Sequence, residues 1–182
     1  MSQTAEGKIL IATPHVTGKV FNQSVIYIHT DDDTGAVGVM LNVPMDYDMA
    51  VKWSQELGWE YPEKIYLGGP CERRLGYVIH TADYCQDTSI VLNDEIAYTG
   101  GKHIMTDIHY GIGPAKFLLI TGYSAWQPQQ LSAEIERGLW MVADFDVDYF
   151  FHGLGREAGW KHSVNVAARN ATAKLLDKVD SI

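Results

Sequence analysis

A serine follows the apolar run Phe117–Thr121 at a point where a hydrolase nucleophile could stand. Ser124 lies between a predicted strand and a predicted helix, which is the context of the nucleophile elbow. The acid and base candidates that follow it in the chain are Asp144, Asp148, His152 and His162. The position of the second elbow glycine holds Trp126, however, and its bulk opposes the close approach of strand and helix. The pattern therefore favours a turn whose small residues allow the helix to pack, with a hydrolase that uses Ser124 as nucleophile as the alternative.

A thiol offers the second candidate for nucleophilic chemistry. Cys71, activated by His80 or His29, would form a thiolate–imidazole pair if the fold brought them together. The competing interpretation is that Cys71 is a small buried apolar residue. Cys71 and Cys85 show neither a redox spacing nor a paired zinc spacing, so the sequence favours the packing interpretation.

Metal-ligating residues occur without a complete set. His103 and Asp107 are four residues apart and would share a helix face, but His109 would point elsewhere. The run Asp31–Asp33 lacks the spaced ligands of a calcium loop and is typical of a solvated hairpin tip. The glycines near Lys102 lack the earlier glycine of a phosphate loop. We therefore expect no metal site and no cofactor.

The bulk composition limits the function classes. A chain of 182 residues is long enough for one domain with a substantial core, and its net charge of −9 opposes binding to nucleic acid phosphates. No apolar run approaches the roughly 18 residues that span a bilayer. No basic segment followed by a long apolar stretch marks a signal peptide. We expect a cytoplasmic protein that does not associate with membranes.

Strands and helices alternate irregularly around these residues. Apolar, β-branched runs predict strands at 8–13, 25–29, 36–41, 64–67, 77–80, 89–92, 95–99 and 117–121, with a turn at 122–127. Alternation of apolar residues with Asp144, Asp146 and Asp148 predicts a further half-buried strand up to Phe151. Spacings of three and four predict helices at 46–57, 102–110, 128–142 and 160–179.

The predicted helices have defined inward faces. Those residues are Met49, Trp53 and Leu57; Ile104 and Ile108; Leu131, Ile135, Leu139 and Val142; and Val164, Ala168, Ala171, Leu175 and Val179. Several strand connections are too short for parallel crossovers. The expected fold class is α/β (α+β), in one domain covering 1–182, with 160–182 as a C-terminal helical tail.

Four blocks of residues, in order along the chain, resemble the YqgE/AlgH family of bacterial proteins. The first two are Phe21, Ser24, Val25 and Tyr27, then Gly35, Ala36, Gly38, Asn42 and Pro44. The last two are Gly68, Gly69, Pro70, Gly76, Tyr77 and His80, then Gly122, Tyr123, Trp126, Gln130, Leu131, Glu134 and Ile135. The resemblance runs from about residue 8 to residue 160. It implies a flattened, largely antiparallel β-barrel-like sheet flanked by helices.

This chain departs from the family pattern at several positions. Where the family commonly has Arg, it has Gln23, and the usual Cys-Glu-His is His29, Thr30 and Asp31. The glycine that precedes Gln-Leu in the family is Gln129. The retained residues are mostly glycines, aromatics and turn residues, so the resemblance favours a folding framework over a shared catalytic set.

Three functional hypotheses remain open. The first is a non-catalytic protein that binds a small ligand or a protein partner, with candidate site residues Ser24, Asn42, His80, Tyr123, Trp126 and Gln130. The second is a hydrolase that uses Ser124 or Cys71 with a histidine. The third is a transcriptional regulator, a label that one branch of the family carries. Direct DNA contact conflicts with the net charge and with the lack of a helix-turn-helix signature. The oligomeric state is open.

Overall fold

The computed structural model describes residues 4–58, 64–153 and 155–179. Within them the chain forms nine strands and five helices. The strands are β1 Lys8–Ala12, β2 Val25–Asp32, β3 Gly35–Met40, β4 Ile65–Leu67, β5 Cys71–Thr81, β6 Ser89–Val91, β7 Ile96–Gly100, β8 Phe117–Trp126 and β9 Trp140–Asp144. The helices are α1 Tyr47–Leu57, α2 Lys102–His109, α3 Gln130–Glu136, α4 Val147–Phe150 and α5 Arg156–Val179.

The strands form one curled sheet in the order β6-β7-β5-β8-β3-β2-β1-β9, with β4 paired to β8 beside this path. Every pairing is antiparallel except that between β4 and β8. The α+β class and the curled, largely antiparallel sheet confirm the predicted fold. None of the helices in the described residues is long and apolar enough to cross a membrane.

The hairpin of β2 and β3 shows why glycine occurs within a strand. The pairing register shifts between Ile28 and Thr30, opposite Gly38. A Cβ at Gly38 would lie 2.7 Å from the Tyr27 carbonyl oxygen, so only glycine permits this approach. The hairpin tip, with Asp31–Asp33, therefore extends from a strongly fixed pair of strands.

The predicted turn at 122–127 is wrong, because β8 continues through it to Trp126. Gly122 has φ +69 and stands at an irregularity in the pairing with β5. Beyond this bend, the strand pairs with β3 from Ser124 to Trp126. A positive φ is accessible to glycine at little cost, so one residue redirects the strand without ending it.

Two predictions after β8 are also wrong. The helix predicted at 128–142 ends at Glu136, and Val142 belongs to strand β9. The strand predicted up to Phe151 is instead helix α4, whose N-terminus is capped by Asp146 accepting the Tyr149 N–H at 3.1 Å. The alternation of aspartates with apolar residues fits a capped helical turn as well as a strand, and the cap decides between them.

The helices differ in detail from their predicted inward faces. In α1, Ala50 and Ser54 are buried, whereas Met49 is 41% exposed; the Leu57 side chain lies outside the described residues. In α5, Val164 packs against the core, but Ala168 and Ala171 are exposed. The side chains of Leu175 and Val179 are outside the described residues.

Helices α3 and α5 pack on opposite faces of the sheet. On one face, Leu131 of α3 packs with Leu10 and Trp140. On the other face, Val164 and Ala167 of α5 pack with Ile9. The β9 edge of the sheet, next to β1, therefore lies between α3 and α5, and this arrangement positions the groove described next.

Candidate functional site

A groove of about 740 Å³ lies where α3, α5, β9 and the tip of the β2–β3 hairpin come together. We call it the acidic groove. Its apolar lining residues are Ala36, Leu131, Ile135, Val142, Ala143, Ala167 and Ala171. Its polar and charged lining residues include Thr4, Lys8, Asp31, Asp32, Asp33, Gln127, Gln129, Ser132, Glu136, Asp144 and Asn170. A concave site with an apolar floor and a few polar groups is the usual form of a ligand pocket.

The charge of the groove is strongly one-sided. Among the described residues that line it, five are carboxylates and one, Lys8, is basic. Lys8 Nζ lies 2.6 Å from Asp144 Oδ1, so the positive charge of Lys8 is balanced by one of the groove carboxylates. Asp32 Oδ1 accepts the Thr34 N–H and hydroxyl, and these bonds lower the pKa of Asp32. The groove consequently attracts cations and repels anions.

The predicted site residues Ser24 and Asn42 are brought together, but inside the protein. Both are fully buried. Asn42 Oδ1 accepts the Val25 N–H at 2.8 Å, and Asn42 Nδ2 donates to the carbonyls of Gln23 and Arg156. Asn42 thereby connects β2 to the start of α5. Among the described residues, Ser24 Oγ has no hydrogen-bond partner.

His80 lies in a separate hydroxyl network. Its Nε2 is 2.8 Å from Thr99 Oγ1, which is 2.7 Å from Ser89 Oγ, and its Nδ1 is 2.9 Å from the Thr81 carbonyl oxygen. Since that carbonyl can only accept, Nδ1 carries the proton and Nε2 accepts from Thr99. Burial lowers the pKa of His80, which favours the neutral ring. The network joins β5, β6 and β7.

Trp126 and Gln130 are also brought together, through a residue that the sequence analysis did not select for the site. Glu134 Oε2 accepts the indole N–H groups of Trp126 at 2.9 Å and Trp140 at 2.7 Å. Glu134 Oε1 accepts the Gln130 side-chain amide at 2.9 Å. These contacts attach α3 to β8 and β9. The helical spacing of four between Gln130 and Glu134 is the signal that could have revealed this cluster.

Tyr123 lies apart from the other candidates. Its hydroxyl is 3.4 Å from Glu72 Oε1, and the charge of Glu72 raises the pKa of Tyr123. Cys71 pairs across the sheet with Tyr123 and is partly exposed. The six predicted site residues thus occupy four places, and none is among the residues that line the acidic groove.

The hydrolase candidate has a structural role in this geometry. Ser124 is 1% exposed and lies within β8, so it does not occupy a strand-to-helix turn. Its Oγ donates to the Gly68 carbonyl at 3.2 Å. A nucleophile must reach its substrate, and this hydroxyl faces a backbone carbonyl in the interior.

Two of the candidate metal ligands accept hydrogen bonds from other groups of the protein. Asp107 Oδ2 accepts the Tyr84 hydroxyl at 2.7 Å, and Asp31 Oδ2 accepts the Ala5 N–H at 2.7 Å. Within 4–58, 64–153 and 155–179, no three His, Cys, Asp or Glu side chains are grouped to hold a metal ion.

The glycines of the predicted motifs meet at one crossing of the backbone. A Cβ on Gly68 would lie 2.2 Å from the Gly122 carbonyl oxygen, and a Cβ on Gly69 would lie 2.1 Å from the Tyr123 carbonyl carbon. Tyr77 donates its hydroxyl to the Gly122 carbonyl at 2.9 Å. These motif residues hold the segment before β5 against β8.

Comparison with known proteins agrees with this architecture. The family model described as AlgH-like matches residues 9–170. The chain belongs to the AlgH-like family. UPF0301 proteins of Rickettsia rickettsii and Rickettsia felis are each 34% identical to it over 151 residues, which cover 80% of this chain and 79% of the relative.

Two solved structures share the AlgH-like fold. The solution structure of the AlgH protein from Pseudomonas aeruginosa has a TM-score of 0.71 and 24% identity, with 91% of this chain and 90% of that chain covered. A crystal structure of a Corynebacterium diphtheriae protein has a TM-score of 0.63 and 25% identity, with 80% and 78% covered. The recognised family resemblance is therefore confirmed.

Proposed function

We propose that this AlgH-like chain is a non-catalytic binding protein whose ligands carry both positive charge and apolar surface. The acidic groove supports this proposal, because five carboxylates and one paired lysine surround an apolar floor. A ligand with an ammonium or guanidinium group would interact with the rim while its apolar part covers Leu131 and Val142. Both small molecules and protein segments include ligands with this chemistry.

The internal bonding of the motif residues supports a non-catalytic role. Asn42, Ser124 and Trp126 all make hydrogen bonds that connect elements of the fold. A catalytic site requires a nucleophile or base with access to substrate. The acidic groove instead offers carboxylates distributed around an apolar surface, which suits recognition. A regulatory role would then act through the bound partner, since the groove repels DNA phosphates.

A matched pair of organic ions tests the charge preference. We would titrate the protein with 4-phenylbutylammonium and, separately, with 4-phenylbutyrate, and follow backbone amide shifts by NMR. The cation is expected to shift the amides of Leu131, Val142 and Ala143 and to bind at least tenfold more tightly than the anion. Its affinity should fall as salt rises, because the attraction is electrostatic.

Charge-neutral variants locate the effect. Asp33→Asn combined with Glu136→Gln removes two exposed rim charges and should weaken the cation severalfold. Asp87→Asn removes an exposed charge that is not among the groove residues and should leave the affinity unchanged. Equal binding of the two ions, or shifts confined to residues away from the groove, would show that the groove does not select cations.

The hydrolase alternative has a separate test. A panel of ester, thioester and amide substrates would be compared between the wild type, Ser124→Ala and Cys71→Ala. We expect no turnover that either substitution removes, because Ser124 is buried against the Gly68 carbonyl. Turnover lost in one variant that still folds would establish catalysis.

A further inference from the structure

We propose that the occupant of the acidic groove is an extended, basic segment of a partner protein, which pairs with β9 as an additional strand. This inference rests on the proposed function and adds the form and chemistry of the ligand. Addition of a strand to a sheet edge is a common mode of peptide recognition, in which backbone hydrogen bonds supply affinity and side chains supply specificity.

The backbone of β9 has one side available for such pairing. β9 is the last strand of the sheet order among the described residues, and its neighbour is β1. The Thr13 N–H donates to the Leu139 carbonyl at 3.0 Å, which fixes the alternation of this antiparallel pair. Leu139, Met141 and Ala143 therefore direct their N–H and C=O groups towards β1. The corresponding groups of Val142 are directed away from β1.

The acidic groove lies along the β9 edge. Val142 and Ala143 line it together with Leu131 of α3 and Ala167 of α5. α3 and α5 pack on opposite faces of the sheet, so they flank the β9 edge from both sides. An added strand would lie about 4.8 Å from β9, and the five residues of β9 would pair with a segment of about 17 Å.

The side chains of β9 also leave this edge unprotected. Met141 is 36% exposed and Val142 is 42% exposed. Edge strands are usually protected by lysines, prolines or bulges that prevent pairing with other chains. Neither a proline nor a lysine occurs from Trp140 to Asp144, and the register with β1 is regular throughout.

Charge determines which partner fits. The carboxylates of Asp31, Asp32 and Asp33 lie at the hairpin tip, close to the Asp144 end of β9. A paired segment would therefore carry Lys or Arg at that end and apolar residues opposite Val142. A second copy of this chain is a poor occupant, because each copy has a net charge of −9 and would bring its own carboxylates to the same groove.

A substitution at the outward-facing amide tests the pairing. Val142→Pro removes an N–H that β1 does not use, and proline is tolerated in edge strands at such positions. Val142→Ala is the matched control, because it shortens the side chain and keeps the N–H. The probe is a fluorescein-labelled decapeptide of alternating Lys and Val, with the same pattern of Glu and Val as the charge control, followed by fluorescence anisotropy.

We expect the Lys–Val peptide to bind the wild type, and the Glu–Val peptide to bind at least tenfold more weakly. Val142→Pro should weaken the Lys–Val peptide at least tenfold, whereas Val142→Ala should change its affinity less than threefold. A second measurement does not depend on the folding of the proline variant. In the wild type, the peptide should slow hydrogen exchange of the Val142 amide at least tenfold, because that amide becomes a donor to the added strand.

The outcomes separate this inference from the proposed function. If the peptide binds but leaves the Val142 amide unprotected, strand addition is wrong, and a charge-selective groove remains. If neither the peptide nor 4-phenylbutylammonium binds, the proposed function fails and this inference fails with it. If the protein alone doubles in mass and Val142→Pro abolishes the doubling, a second copy is the occupant and the basic partner is refuted.

Discussion

Replacement of Glu134 by alanine should strongly destabilise the fold, because one carboxylate accepts three hydrogen bonds. Two of them come from the indoles of Trp126 and Trp140, which are only 7% and 6% exposed. A hydrogen bond to a charged group contributes about 1.5–3 kcal/mol, and a buried donor left without an acceptor loses that contribution. Because the third bond, from Gln130, is exposed to water, we count only the two indole bonds and expect a loss of about 3–6 kcal/mol.

Urea denaturation followed by circular dichroism measures this loss directly. For a chain of this size, that loss corresponds to a decrease in melting temperature of about 6–24 °C. Glu134→Gln keeps an acceptor oxygen but removes the charge, so it should cost about half as much. Glu136→Ala is the control, since it makes the same substitution at an exposed position of the same helix.

The reasoning would be refuted if Glu134→Ala lost less than about 1 kcal/mol relative to Glu136→Ala. Such a result would mean that water replaces the carboxylate at both indoles. The predicted site residues Trp126 and Gln130 would then have no demonstrated structural role. A large loss would instead support the interpretation that this motif holds α3 in place.

Three further predictions follow from buried or strained positions. Burial lowers the pKa of His80, so the free energy of unfolding should fall as the pH drops below about 6.5, where only the unfolded chain takes up the proton. Urea curves at pH 7.5 and 5.5 should show a smaller decrease in the free energy of unfolding for His80→Gln than for the wild type. Equal decreases in the two proteins would contradict this prediction. Gly69→Ala should cost at least about 3 kcal/mol or prevent folding, because its Cβ would lie 2.1 Å from the Tyr123 carbonyl carbon; a soluble variant with wild-type melting would refute it. Gln129→Gly should raise stability by about 1 kcal/mol, since Gln129 has φ +65; no change in the urea midpoint would show that the conformation is not strained.

Much of the sheet could be predicted because its strands are bounded by local signals. The Asp–Thr–Gly turn after Asp32 and the glycines around Leu67 mark strand ends within a few residues. The segment at Gly122 misled the prediction for a physical reason. A glycine next to polar residues is typical of a turn, whereas here the distant strand β3 supplies a new pairing partner that carries the strand onward.

Of the six predicted site residues, the structure brings together those that are near in sequence or share a hydrogen-bond partner. Trp126 and Gln130 are four residues apart and meet at Glu134. His80 and Tyr123 lie at opposite ends of the antiparallel pair of β5 and β8, so they do not meet. The acidic groove was not predicted, since it combines segments around residues 4, 32, 132, 142 and 170 that no local pattern relates. Ligand binding by the six predicted residues stays a prediction.

The central position of β8 has a consequence for synthesis of the chain. β8 separates two blocks of strands that are each close in sequence, β1 to β3 on one side and β5 to β7 on the other. Between the completion of β3 at Met40 and of β8 at Trp126, the ribosome adds roughly 86 residues, which takes about 4–17 s at 5–20 residues per second. The edge of β3 that will receive β8 is unpaired throughout that interval, and the corresponding edge of β5 is unpaired once Thr81 has been added. Pairing of both edges therefore depends on a single strand that is synthesised late in translation.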